Sequence, residues 1–128
     1  MLRHHTMPST RAGGLLAFVH HSDAATATVA AVERGSGGKA YNIVDDDSAT
    51  FRTMLELVAS ATGAPRPYVV PTWILRAMAP YGAAMMDRVS MWVSNELVRR
   101  ELGWAPAYPT VREGVAASAA SSHAPQPA

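Results

Sequence analysis

Histidine and aspartate are the residues of this chain best suited to chemistry. His20, His21 and Asp23 lie close together, Asp45, Asp46 and Asp47 form an acidic run, and the remaining histidines are His4, His5 and His123. Adjacent histidines on an extended segment project to opposite faces, so one metal ion cannot readily use both. The His20, His21 and Asp23 spacing matches no common ligand set on a helix or loop. It reads instead as a strand end followed by a helix that Asp23 caps. The aspartate run offers oxygen ligands to a divalent cation, but its simpler reading is a solvated turn whose charges favour the N-terminus of the next helix. Met78, Met85, Met86 and Met91, with Trp73, Tyr81 and Trp92, have the soft apolar character of a ligand wall, and equally that of ordinary packing.

Several constellations are missing. A serine elbow of the form G-x-S-x-G is absent. Ser36 stands between Gly35 and Gly37, but in a turn leading from a helix to a strand, the opposite polarity. No glycine series follows the spacing that lets a dinucleotide pyrophosphate meet a helix N-terminus. Lys39 is the single lysine and position 35 is Gly, so no Tyr-x-x-x-Lys pair exists. With no cysteine there are no disulfides, thiolate zinc sites or cysteine nucleophile. The net charge of +1, from 11 basic and 10 acidic residues, lacks the clustered cations that nucleic acid requires. No apolar run is long enough to span a bilayer, and Met1 to Gly14 has no apolar signal core, so neither a membrane nor nucleic acid is an expected partner. The expected location is the cytoplasm.

The elements that must position these residues follow from periodicity. With 128 residues, 48% of them hydrophobic, the chain can build one domain with a core of its own. Residues 1–14 read as an irregular lead-in, 15–117 as an α/β domain and 118–128 as a disordered tail. Leu15 to His20 suits a buried strand. The Ala-rich helix after it, with Ala25, Val29 and Val32 on one face, closes at Gly35. Ala40 to Val44 is a second strand. Thr50 caps a helix whose Phe51, Met54, Leu55, Val58 and Ala59 make one apolar stripe, stopped by Gly63 and Pro65. Tyr68 to Val70 is extended. Thr72 caps a helix over Trp73–Ala79, and Pro80 separates it from a short one over Tyr81–Met86. Ser94 or Asn95 caps Glu96–Leu102, which Gly103 ends. Thr110 and Glu113 have capping-box spacing at the head of a last helix. The fold class is α/β: a small, parallel sheet of two or three short strands with four to six helices, a partial Rossmann-type architecture.

Four segments, in order, carry a family resemblance. Phe18-Val19-His20-His21-Ser22-Asp23-Ala24-Ala25 resembles the "F-V-H-V-D-D-x-A" segment of extended short-chain dehydrogenases/reductases, the NAD-dependent epimerase/dehydratase family. Lys39-Ala40-Tyr41-Asn42-Ile43-Val44 is similar to that family's "G-x-x-Y-N-I/V" strand. Ser94-Asn95 through Leu102-Gly103-Trp104-Ala105-Pro106 resembles its "S-x-x-x-x-x-x-L-G-W-x-P" segment, and Thr110 to Val115 its closing "s-x-x-e-G-l".

The resemblance implies the carboxyl-terminal, substrate-lobe portion of such an enzyme, with the glycine loop and Tyr/Lys pair upstream in family members. The chain is therefore expected to be a fragment of an oxidoreductase or isomerase of this type, inactive alone. No cofactor is expected for these residues by themselves; NAD or NADP is implied for a full-length member. Two phosphate-contacting arginines of sugar-nucleotide epimerases fall on Leu16 and Ala84, with the companion aspartate on Asp87 and Arg88 out of register, which favours a smaller or more apolar substrate. The expected substrate-binding residues are His20, Trp73, Met78, Arg88, Met91 and Trp92, with no catalytic, cofactor or metal ligand among them. Expected partners are a small-molecule substrate and either a second copy or a Rossmann half. The alternatives are a stand-alone ligand-binding or interaction module, and one half of a split enzyme.

Overall fold

The computed structural model of the chain describes residues 8–9 and 13–122. The elements are β1 (Pro8–Ser9), β2 (Leu15–Leu16), α1 (His21–Arg34), β3 (Ala49–Thr50), α2 (Phe51–Thr62), β4 (Tyr68–Val69), α3 (Thr72–Met78), α4 (Pro80–Asp87), α5 (Glu96–Leu102) and α6 (Val111–Ser122). This is the mixed α/β class expected, with helices dominant. The sheet differs from expectation. It is two separate two-stranded ladders, β1 with β4 parallel and β2 with β3 antiparallel.

The strands are shorter than their apolar runs suggest, because their backbone bonds are taken singly rather than in ladders. Beyond Leu16 no strand continues, and the Phe18 carbonyl accepts from Asp45 N–H at 2.8 Å. The segment 40–44 is no strand. Its successors bond one at a time, Asp45 to Phe18 and Asp46 N–H to Pro109 O, while Val44 O accepts from the Asn95 side chain at 2.9 Å. The segment 89–91 adds to β2: Met91 N–H donates to Leu15 O at 2.7 Å, and Leu15 N–H to Ser90 Oγ. That approach requires Gly14, where a Cβ would stand 1.7 Å from the Val89 carbonyl oxygen.

Helix α1 departs from its expected face and cap. It starts at His21, and the N-cap is His20, whose Nδ1 accepts from Ser22 N–H. The buried set is Asp23, Ala27 and Ala30. This is the i, i+4, i+7 spacing anticipated for Ala25, Val29 and Val32, but started two residues earlier, on the opposite side of the cylinder. Val29 and Val32 are exposed. The reason lies in Asp23, which is 1% exposed. Its two oxygens accept from Ala107 N–H at 2.8 Å and Tyr108 N–H at 3.0 Å, turning that side inward. Small Ala27 and Ala30 then let α1 settle onto Val98, Leu102 and Trp104, the main core, flanked by Tyr41 and Ile43.

The later helices follow their signals. Thr50 Oγ1 accepts from Thr53 N–H, Leu55 and Ala59 are buried, and Gly63 ends α2 in the left-handed conformation, as Gly103 ends α5. Thr72 is the first residue of α3 rather than its cap, and Pro80 opens α4 at its first turn, where a missing N–H costs nothing. Glu113 N–H donates to Thr110 Oγ1 and Thr110 N–H to Glu113 Oε2, a closed capping box. Helix α6 continues to Ser122, five residues beyond the expected end of the domain at 117. Residues 1–7, 10–12 and 123–128 of the expected lead-in and tail lie outside the described residues.

Candidate functional site

A groove of about 450 Å³ lies between α2 and α6, floored by residues 18–21 and Asp45. Its walls are apolar: Phe18, Val19, Met54, Val58, Val111 and Val115. Phe18 and Val19 come from the segment before α1, and the others from the outer part of the α2 stripe and the first turns of α6. Polar side chains interrupt them, among them His20, Asp45 and Ser118.

His20 and Ser118 have the outward form of a base and nucleophile, at 3.0 Å between Nε2 and Oγ. The cap bond decides otherwise. Because His20 Nδ1 accepts from Ser22 N–H at 3.3 Å, the neutral ring carries its proton on Nε2 and donates it to Ser118. It therefore cannot accept the serine proton, which removes the nucleophilic reading. The ring is further held against His21 and Tyr108, with centroids 4.2 and 4.4 Å away, and over Gly114, where a Cβ would lie 3.5 Å from His20 Cβ. His20 is an anchor that joins α1 to α6.

The aspartate run diverges. Asp46 accepts from Asn95 Nδ2 at 2.8 Å and pairs with Arg99. Although burial pushes its carboxyl upward, hydrogen bonds from Asn95 and Arg99 hold it below the usual range. Asp45 turns inward, is 8% exposed, and its Oδ1 is buried with no hydrogen-bond partner among the described residues. Burial, then repulsion from Asp47 and Asp46, raises its carboxyl to about 6. Among the described residues no three His, Asp or Glu side chains are grouped to hold a metal ion.

Between about pH 4 and pH 6 the folded state binds more protons than the unfolded one, so stability falls as pH rises through that interval and is level above it. Asp45→Asn is expected to stabilise the protein by about 2 kcal/mol at pH 7.5 and by nearly nothing at pH 4. Urea denaturation at the two pH values measures it, and an equal effect at both would refute the assignment.

Of the six residues expected to bind substrate, His20 alone lines the groove. Trp73, Met78 and Trp92 lie on open surface, 71%, 82% and 85% exposed. Met91 is also exposed and is tied by its backbone to Leu15. Arg88 is exposed at the end of α4. Leu16 is in β2 and Ala84 in α4, so neither position brings an arginine to bear. Sequence reasoning missed Ser118, assigned to a tail, and the burial of Asp45. The capping box and the α2 stripe were the signals that could have found the groove.

A dinucleotide does not fit this concavity. Its polar end is the buried Asp45 carboxylate, and with the charges of Asp46 and Asp47 near it this end repels a pyrophosphate.

No family model matches the chain. A 3-diazoavenalumate denitrifying reductase from Streptomyces sp. is 30% identical over 102 residues, covering 80% of this chain and 33% of that protein. The chain thus spans about a third of the reductase it resembles. A functionally unknown conserved protein from Silicibacter pomeroyi DSS superposes with a TM-score of 0.80 at 22% identity, over 94% of this chain and 42% of the other. RMD from Pseudomonas aeruginosa, solved with NADPH, superposes with a TM-score of 0.60 at 15% identity, over 90% and 34%. The chain shares its fold with these two structures. Among the described residues no helix is long and apolar enough to cross a membrane.

Proposed function

We propose that these residues form the substrate lobe of an NAD(P)-dependent reductase of the extended short-chain dehydrogenase/reductase type, shaping a site for a small apolar molecule while nicotinamide binding and proton transfer fall to a Rossmann half. The observation that carries the reading is the 102-residue similarity to a reductase, with the fold shared with an NADPH complex in support. That relative acts, by its name, on 3-diazoavenalumate, in keeping with Leu16 and Ala84 where phosphate-gripping arginines would stand.

The exposed Trp73, Met78, Tyr81 and Trp92 support the second part. Large side chains left open around α3 and α4 suit a surface that another body covers. In this reading the cover is the Rossmann half or, without it, a second copy, and Trp73, Met78, Met91 and Trp92 face the shared cleft with Arg88 at its rim.

Calorimetric titration with NADPH tests the proposal. The chain alone is expected to give no saturable uptake, and NADPH oxidation is expected only when the nucleotide-binding half of a related reductase is supplied in trans. Tight stoichiometric NADPH binding by the 128 residues would overturn it.

A further inference from the structure

We infer that the groove between α2 and α6 is a binding site for a small organic cation, an amine carried on an apolar body, with the Asp45 carboxylate receiving the ammonium group. This stands on the groove alone and holds whether or not the chain serves a reductase.

Three observations carry it. The first is size. A concavity of about 450 Å³ falls within the range of roughly 300–1,000 Å³ that small-molecule sites occupy. The second is composition. Phe18, Val19, Met54, Val58, Val111 and Val115 make the walls apolar, so the body of the ligand must be a hydrocarbon or an aromatic ring. The third is the single unmet polar demand. Asp45 lines the groove, is more than nine-tenths buried, and keeps an oxygen without a partner among the described residues. A buried acceptor left unmet is costly, and a charged one more so.

The charges around it select the sign. Asp46 and Asp47 both repel the Asp45 charge. Arg99, the nearby cation, is engaged with Asp46 and Asn95. His20 is engaged through both ring nitrogens. At neutral pH the Asp45 carboxyl is ionised even with its raised value of about 6. An ammonium supplies the missing donor and a compensating charge together, whereas a carboxylate or phosphate meets repulsion from Asp45 and the two acids beside it. His21, the other titratable group of the lining, stacks on His20.

The test uses three matched probes on the full chain at pH 7.5: 4-phenylbutylamine, 4-phenylbutanol and 4-phenylbutyrate. Calorimetry is expected to give saturable one-to-one binding of the amine, at least tenfold tighter than the alcohol, with no binding of the acid. Asp45→Asn, which keeps the side-chain volume, is expected to weaken the amine at least tenfold and leave the alcohol within twofold. Val115→Trp fills the groove and is expected to abolish both, with the circular dichroism spectrum reporting that the fold is retained. Equal affinity of the amine for the parent chain and Asp45→Asn would overturn the proposal. So would tighter binding of the acid, or no saturable amine binding, the result expected if a protein segment or a second copy fills the groove.

Discussion

Asp23→Ala is expected to cost about 3–4 kcal/mol, a large share of the roughly 5–15 kcal/mol that holds a domain folded. The side chain makes two charge-assisted bonds, from Ala107 N–H at 2.8 Å and Tyr108 N–H at 3.0 Å, in a place almost closed to water. Removing it leaves two part-buried donors without their acceptor, each costing about 1–3 kcal/mol where water cannot take the acceptor's place. The carboxylate also sits in the first turn of α1, where a negative charge opposes the positive end of the helix. Asp23→Asn separates these contributions. It keeps one acceptor but sets an amide against the other N–H, so about half of the loss or more should remain. Urea denaturation reports both. A cost for Asp23→Ala below about 1 kcal/mol, within the range of ordinary surface changes and weak contacts, would show that the loop is held by something else.

Trp104→Ala should cost about as much, roughly 3–5 kcal/mol, from lost burial and the cavity left behind. Trp104 joins Ala27, Ala30, Val98 and Leu102 in the core, and its Nε1–H donates to Thr26 Oγ1 at 3.0 Å. Thr26 Oγ1 in turn donates to the Asp23 carbonyl at 3.0 Å. Trp104→Phe keeps most of the volume and loses only the indole donor, for about 1–2 kcal/mol. Because the Asp23 side chain holds the N–H groups of Ala107 and Tyr108 in the loop that follows Trp104, both residues fix that loop on α1, and the Asp23→Ala and Trp104→Ala costs should not add. The double variant is expected to fall short of the sum by about 1 kcal/mol, as in other sets of residues that share a partner. Strict additivity in the double-mutant cycle would argue against this shared role.

The helices were largely legible because their signals are local. Thr50, Gly63, Gly103 and the Thr110–Glu113 box each act within one turn, and each sits where its chemistry predicts. The strands were not, because a strand needs a partner that no local pattern names. Ala40 to Val44 has the composition of one, yet joins no ladder, and the Val44 carbonyl accepts from the Asn95 side chain instead. The face of α1 misled for a related reason. An apolar count favours Val29 and Val32, but a charged residue, Asp23, is what turns inward, and its partners lie in the loop after Trp104. The candidate site was legible only in part. His20 was found, and Asp45 was noticed as one of three acids. Its separation from Asp46, which Asn95 and Arg99 claim, depends on contacts about fifty residues away in sequence.

The bonds from Ala107 and Tyr108 to Asp23 span 84 and 85 residues, which bears on how the chain is made. On the ribosome, α1 emerges long before the loop that satisfies its buried acid and the indole that covers Ala27 and Ala30. Until residue 108 has left the exit tunnel, that helix has no lasting partner and its inner face stays wet. Such distant pairings must close a long loop before they contribute, so this core forms as a unit and only after residue 108 has been synthesised.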